Sequence, residues 1–215
     1  MTIKILIADD HTIVREGLKQ ILMDTSDMVV AAEAVNGQEV LDKVWKDDFD
    51  VIVLDIAMPG RSGLDILKEL KSFKPKLPVL VLSMYPEDQY ALRVLRAGAD
   101  GYLTKESAPN DLITAIRKVY SGKKYISHFL AEKLAFGLET DAARPPHELL
   151  SDREYQVMCR ISSGKTVKEI ADELSLSVKT ISTYRARILE KMGMKNNAEL
   201  THYAIQNHLV DKDPL

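Results

Sequence analysis

The stretch Val51-Ile52-Val53-Leu54-Asp55 sets four apolar residues in a row and then a carboxylate. An unbroken apolar run of this length reads as a strand buried on both faces, as in a parallel sheet covered by helices. Two further runs share the pattern. Ile3-Lys4-Ile5-Leu6-Ile7-Ala8 ends in Asp9-Asp10, and Val79-Leu80-Val81-Leu82 ends in Ser83-Met84. A shorter run, Gly101-Tyr102-Leu103-Thr104, ends in Lys105, and Val29–Ala34 supplies a fifth strand. Between the strands, helical patterns cover about Thr12–Met23, Gln38–Lys46, Gly63–Ser72, Glu87–Ala97 and Asn110–Tyr120. The connections carry Gly and Pro, at Asn36-Gly37, Met58-Pro59-Gly60, Gly98 and Ser121-Gly122.

Regular alternation of this kind predicts an α/β domain over residues 1–122, a doubly wound five-stranded parallel sheet of flavodoxin-like order. Beyond Gly122 the alternation stops. Residues 123–147 read as a linker with a short helix from Ser127 to Phe136, and 148–215 as an all-α domain of four helices. Ser151-x-x-Glu154 and Thr166-x-x-Glu169 have capping-box spacing and open helices near Asp152–Ser162 and Val167–Leu174. After the turn Ser175-Leu176-Ser177, a third helix runs from Val178 to Met192 and stops at Gly193, and a fourth runs from Asn196 toward Leu209.

The 215 residues allow two domains with a core each. No apolar stretch approaches the roughly 20 residues of a membrane span, and the opening strand leaves no room for a signal peptide. A cytoplasmic location without membrane attachment is expected, and the single Cys159 agrees with a reducing compartment. The net charge of −3 does not advertise a nucleic-acid binder. Its distribution is more telling: between Lys179 and Lys195 five basic residues face one acid, Glu190.

Ligands of doubly wound sheets bind beyond the carboxyl ends of the strands. Here those ends gather Asp9, Asp10, Asp55, Ser83 and Lys105. Mg²⁺ keeps several waters and needs only one or two carboxylates plus a phosphate, which Asp9, Asp10 and Asp55 can provide. Asp55 is then placed to act as a nucleophile toward a phosphoryl group, with Lys105 pairing one oxygen and Ser83 donating to another. Phosphatases of the haloacid-dehalogenase type need a second Asp two residues after the nucleophile, and that position is Ala57. An Asp55 phosphate would therefore lack a built-in acid for turnover. A Mg²⁺-dependent phosphohydrolase fused to a helical interaction module stays open as the alternative.

Asp9-Asp10, Asp55 followed by Met58-Pro59-Gly60, Ser83, and Tyr102 three residues before Lys105 resemble the receiver domain of a two-component response regulator. The resemblance implies phosphorylation of Asp55 by a sensor histidine kinase, with the Ala57 backbone carbonyl completing the metal shell. It also implies a switch in which Ser83 moves toward the phosphate and Tyr102 turns inward. Where the family often has proline after the lysine, this chain has Glu106.

A helix, a short turn and a basic helix form the pattern of a helix-turn-helix. Ile170, Ala171, Leu174, Leu176, Val178, Ile181, Ile188 and Leu189 are its expected packing residues, leaving Lys179, Thr180, Ser182, Thr183, Arg185 and Ala186 for the outer face. Ser151-Asp152-Arg153-Glu154, Gly164, Lys168-Glu169-Ile170-Ala171 and Ser177-Val178-Lys179-Thr180-Ile181 resemble the LuxR-type output domain of NarL/FixJ-class regulators. That likeness implies that Val178–Met192 enters the DNA major groove and that the last helix pairs two subunits. It makes Lys179 and Lys191 phosphate contacts, and Ser182, Thr183 and Ala186 base-facing. The whole chain thus reads as a phosphorylation-controlled transcription regulator rather than an enzyme. Its expected partners are a histidine kinase, duplex DNA, a second copy of itself when phosphorylated, and RNA polymerase as a further contact.

Overall fold

The computed structural model describes residues 2–127, 130–131, 145–207 and 209–210. The chain divides into two compact units between residues 139 and 140.

In the first unit, β1 (Ile3–Ala8), β2 (Met28–Ala34), β3 (Val51–Asp55), β4 (Val79–Ser83) and β5 (Gly101–Thr104) form one parallel sheet in the order β2-β1-β3-β4-β5. Five helices alternate with them: α1 (Thr12–Met23), α2 (Gly37–Lys46), α3 (Gly63–Phe73), α4 (Glu87–Arg96) and α5 (Ala108–Tyr120). Every residue of β3 and β4 is buried, as their unbroken apolar sequences require when both sheet faces are covered. On one face, Ile5, Ile7, Val53, Leu80 and Leu103 pack against Leu18 and Leu22 of α1 and Leu112, Ile116 and Val119 of α5. The residues of opposite parity, Leu6, Ile52, Leu54 and Val81, are equally buried, and right-handed crossovers put α2, α3 and α4 over them.

The register sets up the strand ends. Ala8 lies beside Leu54, Asp55 beside Leu82, and Ser83 beside Thr104, so Asp9, Asp55, Ser83 and Lys105 emerge at one edge. The order reverses between β1 and β3, and that is where a crevice opens in such sheets. Gly63 lets α3 start close beneath this edge, because a Cβ there would stand 2.4 Å from the Ile56 Cα. α5 begins at Ala108, two residues earlier than its sequence suggests. Pro109 sits in the first turn, where its missing N–H costs nothing. The Lys105–Glu106 peptide is trans.

In the second unit a 3₁₀ turn (Pro146–Leu149) precedes α6 (Asp152–Ser162), α7 (Val167–Glu173), α8 (Val178–Met192) and α9 (Asn197–Gln206). Both capping boxes form, Ser151 with Glu154 and Thr166 with Glu169. α8 ends on Gly193 at φ 65°, the left-handed conformation that glycine adopts without a Cβ penalty. α9 stops short of Leu209, whose amide folds back to the Ala204 carbonyl (2.8 Å) and whose side chain is buried. Ile170, Ala171, Leu174, Ile181 and Ile188 are buried as expected, but Val178 is 51% exposed. It occupies the first turn of α8, ahead of the point where the helix meets its neighbours. Of the short helix expected from Ser127 to Phe136, only 127 and 130–131 are among the described residues. The rest lies outside them.

Candidate functional site

Asp9 and Asp55 have no exposed side-chain surface, whereas Asp10 is partly open. The Lys105 ammonium lies 2.7 Å from Asp9 Oδ2 and 2.8 Å from Asp55 Oδ2. The Ala57 amide donates to Asp55 Oδ1 (2.8 Å), and the His11 amide donates to Asp9 Oδ1 (2.8 Å). Burial pushes the Asp55 carboxyl above the usual carboxylate range, and Asp9 adds to this while Lys105 pulls it back. For Lys105, burial works to lower the pKa, but the two carboxylates outweigh it and hold the ammonium above its ordinary value.

Two buried carboxylates thus share one ammonium with a third, Asp10, in the same cluster, a charge balance that a divalent cation would correct. Ligand atoms of Asp9, Asp10, His11 and Asp55 all lie within 4.8 Å of one another. Buried Asp9 Oδ2 and Asp10 Oδ1 accept no well-directed hydrogen bond among the described residues, although cationic nitrogen is near Asp9. Hard oxygens with unused lone pairs around a small space fit a Mg²⁺-sized ion.

Arg15 supports this arrangement and its sequence role went unread. It is buried, donates to the Asp9 carbonyl (2.8 Å) and pairs with Glu33 (2.9 Å). The signal was its spacing. Arg15 shares the core stripe of α1 with Leu18 and Leu22, where a charge must have partners.

Ser83 is fully buried and its Oγ accepts from the Tyr85 amide (3.0 Å), while the Lys105 amide donates to the Ser83 carbonyl (2.8 Å). Tyr102 is already inward, 1% exposed, with its hydroxyl donating to the Tyr85 carbonyl at 2.6 Å. Burial pushes its phenol above the usual value, partly offset by a hydrogen bond with Ser83. The Tyr102 ring thus stands in the inward orientation. The reason is local: the Tyr85 carbonyl offers the hydroxyl a buried acceptor.

On α8, Lys179, Ser182, Thr183 and Ala186 are exposed on one face. The Ser182 and Thr183 hydroxyls donate to the carbonyls of Val178 and Lys179, each at 2.9 Å. Thr180 is half-buried and its hydroxyl meets the N-cap Ser177 hydroxyl (2.8 Å). Arg185 is half-buried too, its Nε donating to Asn197 Oδ1 (2.6 Å), which ties α8 to α9. Arg187 is exposed and stands one turn beyond Thr183 and two beyond Lys179, so helical spacing puts it on the Lys179 face.

Lys191 pairs with Glu154 Oε2 at 2.6 Å, and the same carboxylate accepts from the Ser151 amide (2.7 Å). Burial alone would raise the Glu154 pKa, but Lys191 and the Ser151 donors hold it below its ordinary value. A carboxyl lowered on folding stabilises above its unfolded pKa and loses that contribution as pH falls through the folded one. Glu154→Gln keeps an acceptor for Ser151 and removes the charge. It is expected to cost about 0.5–1 kcal/mol at neutral pH. Thermal melts of wild type and variant should converge in acid, and a gap that persisted unchanged would place the effect elsewhere.

Residues 5–117 match the family profile of the response regulator receiver domain, and residues 148–204 that of the bacterial regulatory proteins of the luxR family. The response regulator UvrY of Escherichia coli is 36% identical over 214 residues, covering 99% of this chain and 98% of UvrY. The response regulator GacA of Pseudomonas protegens is 37% identical over 209 residues, covering 97% and 98%. Among solved structures, RcsB from Salmonella enterica serovar Typhimurium, bound to promoter P1flhDC in the presence of the phosphomimetic BeF3−, matches with a TM-score of 0.67 at 29% identity. The match covers 96% of this chain and 100% of that one. Near-complete coverage of both chains extends the likeness across both units, and the chain belongs to the LuxR-type response regulators of two-component systems, DNA-binding transcription regulators of the NarL/FixJ class.

Proposed function

We propose that this regulator is switched by phosphorylation of Asp55 from a sensor histidine kinase, and that the phosphorylated chain binds promoter DNA as a dimer through α8. The observation that carries the reading is the position of Lys105 Nζ, within 2.8 Å of both buried carboxylates Asp9 and Asp55. An Asp55 carboxylate oxygen attacks phosphorus, forming an O–P bond as the P–N bond to the donor histidine breaks. Lys105 then exchanges a carboxylate for a phosphoryl oxygen of equal sign. Asp9, Asp10, Asp55 and the Ala57 carbonyl would hold Mg²⁺, which when bound supplies charge neutralisation to the transferring group. Ala57, two residues after Asp55, brings no acid to expel the phosphate, so the product persists as a signal.

Ser83 gives up its contact with the Tyr85 amide to donate to the phosphate. That movement is read by the Tyr85 carbonyl and hence by Tyr102. Tyr102→Phe keeps the ring and removes the donor. It is expected to cost about 1 kcal/mol of stability and to leave phosphate uptake intact while the gain in DNA affinity shrinks. Equal affinity gains in both proteins would remove Tyr102 from the switch.

Residues 1–122 form the receiver, 123–147 the linker and 148–215 the output domain. RcsB, solved bound to promoter P1flhDC, supports DNA as the partner; the exposed face of α8 is the reading surface, with Lys179 on phosphate and Ser182, Thr183 and Ala186 toward bases. Two linked copies gain by effective concentration and require half-sites about one helical turn apart. The protein works in the cytoplasm, with RNA polymerase as a further contact. No helix among the described residues is long and apolar enough to cross a membrane. Incubation with acetyl phosphate and Mg²⁺ should yield one acid-stable, base-labile phosphate per chain. Continuous release of inorganic phosphate would indicate a phosphohydrolase instead.

A further inference from the structure

Past α5 the chain doubles back onto the sheet. Gly122, at φ 78°, reverses it, and Tyr125 then pairs in parallel with Gly101 of β5, the edge strand. The Tyr125 amide donates to the Asp100 carbonyl (2.8 Å), and the Tyr102 amide donates to the Tyr125 carbonyl (3.4 Å). Position 101 needs glycine for this approach: a Cβ there would stand 2.9 Å from the Tyr125 Cβ and 3.0 Å from its carbonyl oxygen. Lys124 fastens the same stretch, donating to the Ala99 carbonyl (2.7 Å) and pairing with Asp100 (2.9 Å). The first residues of the linker are therefore bound to the receiver's sheet.

Two residues on, the hold passes to α4, whose Glu87 carboxylate accepts from the Ser127 amide (3.3 Å). Ser127 in turn opens a helical turn. Its Oγ accepts from the Leu130 amide (3.1 Å), its carbonyl accepts from the Ala131 amide (3.0 Å), and Leu130 is buried. Glu87 follows Tyr85 by two residues, and Tyr85 is tied to the switch at three points. Its amide is on Ser83 Oγ, its carbonyl takes the Tyr102 hydroxyl, and its ring stacks on Tyr90 of α4 with centroids 5.1 Å apart. One short segment, 83–87, thus reaches from the edge where Asp55 emerges to the linker.

We infer that Glu87 is a clasp on the linker, holding Ser127 while Ser83 is bonded to the Tyr85 amide and letting go when Ser83 turns to a phosphoryl group. The inference rests on the reading of Asp55 as the phosphoacceptor. Once Ser83 leaves, the Tyr85 amide has lost its acceptor, and a shift of the segment that regains one is favoured. Glu87 moves with that segment. Its bond to Ser127 is already just beyond the usual range of about 2.7–3.2 Å, so a small displacement breaks it. Tyr125 keeps its backbone bonds, and release starts at Ser127. Each residue freed adds up to about 3.3–3.6 Å to the tether of the output domain, which changes the reach of two copies toward one DNA site.

The test is amide-resolved hydrogen exchange on the full-length protein, with and without acetyl phosphate and Mg²⁺, and with intact mass reporting phosphate uptake. In the wild type, phosphorylation should speed exchange at Ser127, Leu130 and Ala131 about tenfold and leave Tyr125 unchanged. Glu87→Ala should show the fast exchange without phosphate and no further change with it. Glu87→Gln keeps an acceptor and should behave as the wild type. Both variants remove the same negative charge from the first turn of α4, so a loss of equal size in the two would assign the effect to that helix and overturn the clasp. Slow Ser127 exchange in Glu87→Ala, or phosphate uptake by the wild type without faster exchange there, would overturn the inference and leave the phosphoacceptor standing. A wild type that takes up no phosphate would remove the phosphoacceptor reading, and the inference with it.

Discussion

Asp55→Asn is expected to abolish phosphate uptake from acetyl phosphate and Mg²⁺, leaving DNA affinity the same with and without them. The variant keeps the size of the side chain and the acceptor for the Ala57 amide but removes the nucleophile. If phosphoryl donor still raised DNA affinity in this variant, the phosphoaspartate mechanism would be wrong. The same substitution makes a second, opposite-looking claim about stability. A carboxyl whose pKa is raised on folding binds more protons in the folded state between its unfolded and folded values, so stability falls as pH rises through that window. Asp55 is raised by burial and by Asp9, so above the window its charge works against the metal-free fold. Asp55→Asn should therefore raise Tm at neutral pH without metal, by roughly 2–5 °C, while the wild type should gain more from added Mg²⁺. Lys105→Ala should move Tm the other way, because it leaves Asp9 and Asp55 buried without their shared cation. A destabilised Asp55→Asn would mean that the Lys105 pairing outweighs the burial of Asp55.

Much of this site was legible because parallel β topology makes sequence position a spatial address. Val51–Asp55 could be placed at the centre of the sheet from its apolar run alone, and the residue closing each such run then fell at one edge. Arg15 was harder to read, because it does not lie at a strand end. Arg15 acts through a carbonyl, a partner that leaves no mark in side-chain chemistry. In the output domain, capping boxes and Gly193 marked the helix limits well, since those signals are local. Which basic residues stay free is not local. Lys191 looks like its neighbours in sequence, yet Glu154, 37 residues away, occupies it, and Arg185 is drawn to Asn197. Tyr102 raised the same problem in the receiver: nothing in its sequence told that the Tyr85 carbonyl would hold it inward.

That division among the basic residues of α8 predicts unequal mutational effects on DNA binding. Lys179 and Arg187 are exposed on one face, so each can neutralise a phosphate and release its counterions. Lys179→Ala and Arg187→Ala should each lower affinity about tenfold at moderate salt and reduce the slope of log K against log salt by about 0.9, with the double variant losing both. Lys191→Ala should instead lower stability by freeing Glu154, with a smaller change in salt slope. Ser182 and Thr183 belong to a different class. Their hydroxyl hydrogens are spent on Val178 and Lys179 carbonyls, so outward they offer lone pairs. Lone pairs accept from the exocyclic amino groups of adenine or cytosine and not from the acceptor-rich edge of guanine. Ser182→Ala should accordingly leave the salt slope unchanged and relax preference at one base pair by about 1–3 kcal/mol. Competition titrations across single-base variants of a bound site would separate the two classes. A uniform loss across all sequences for Ser182→Ala would assign it to the backbone, and unchanged slopes for Lys179→Ala and Arg187→Ala would move the phosphate contacts off this face.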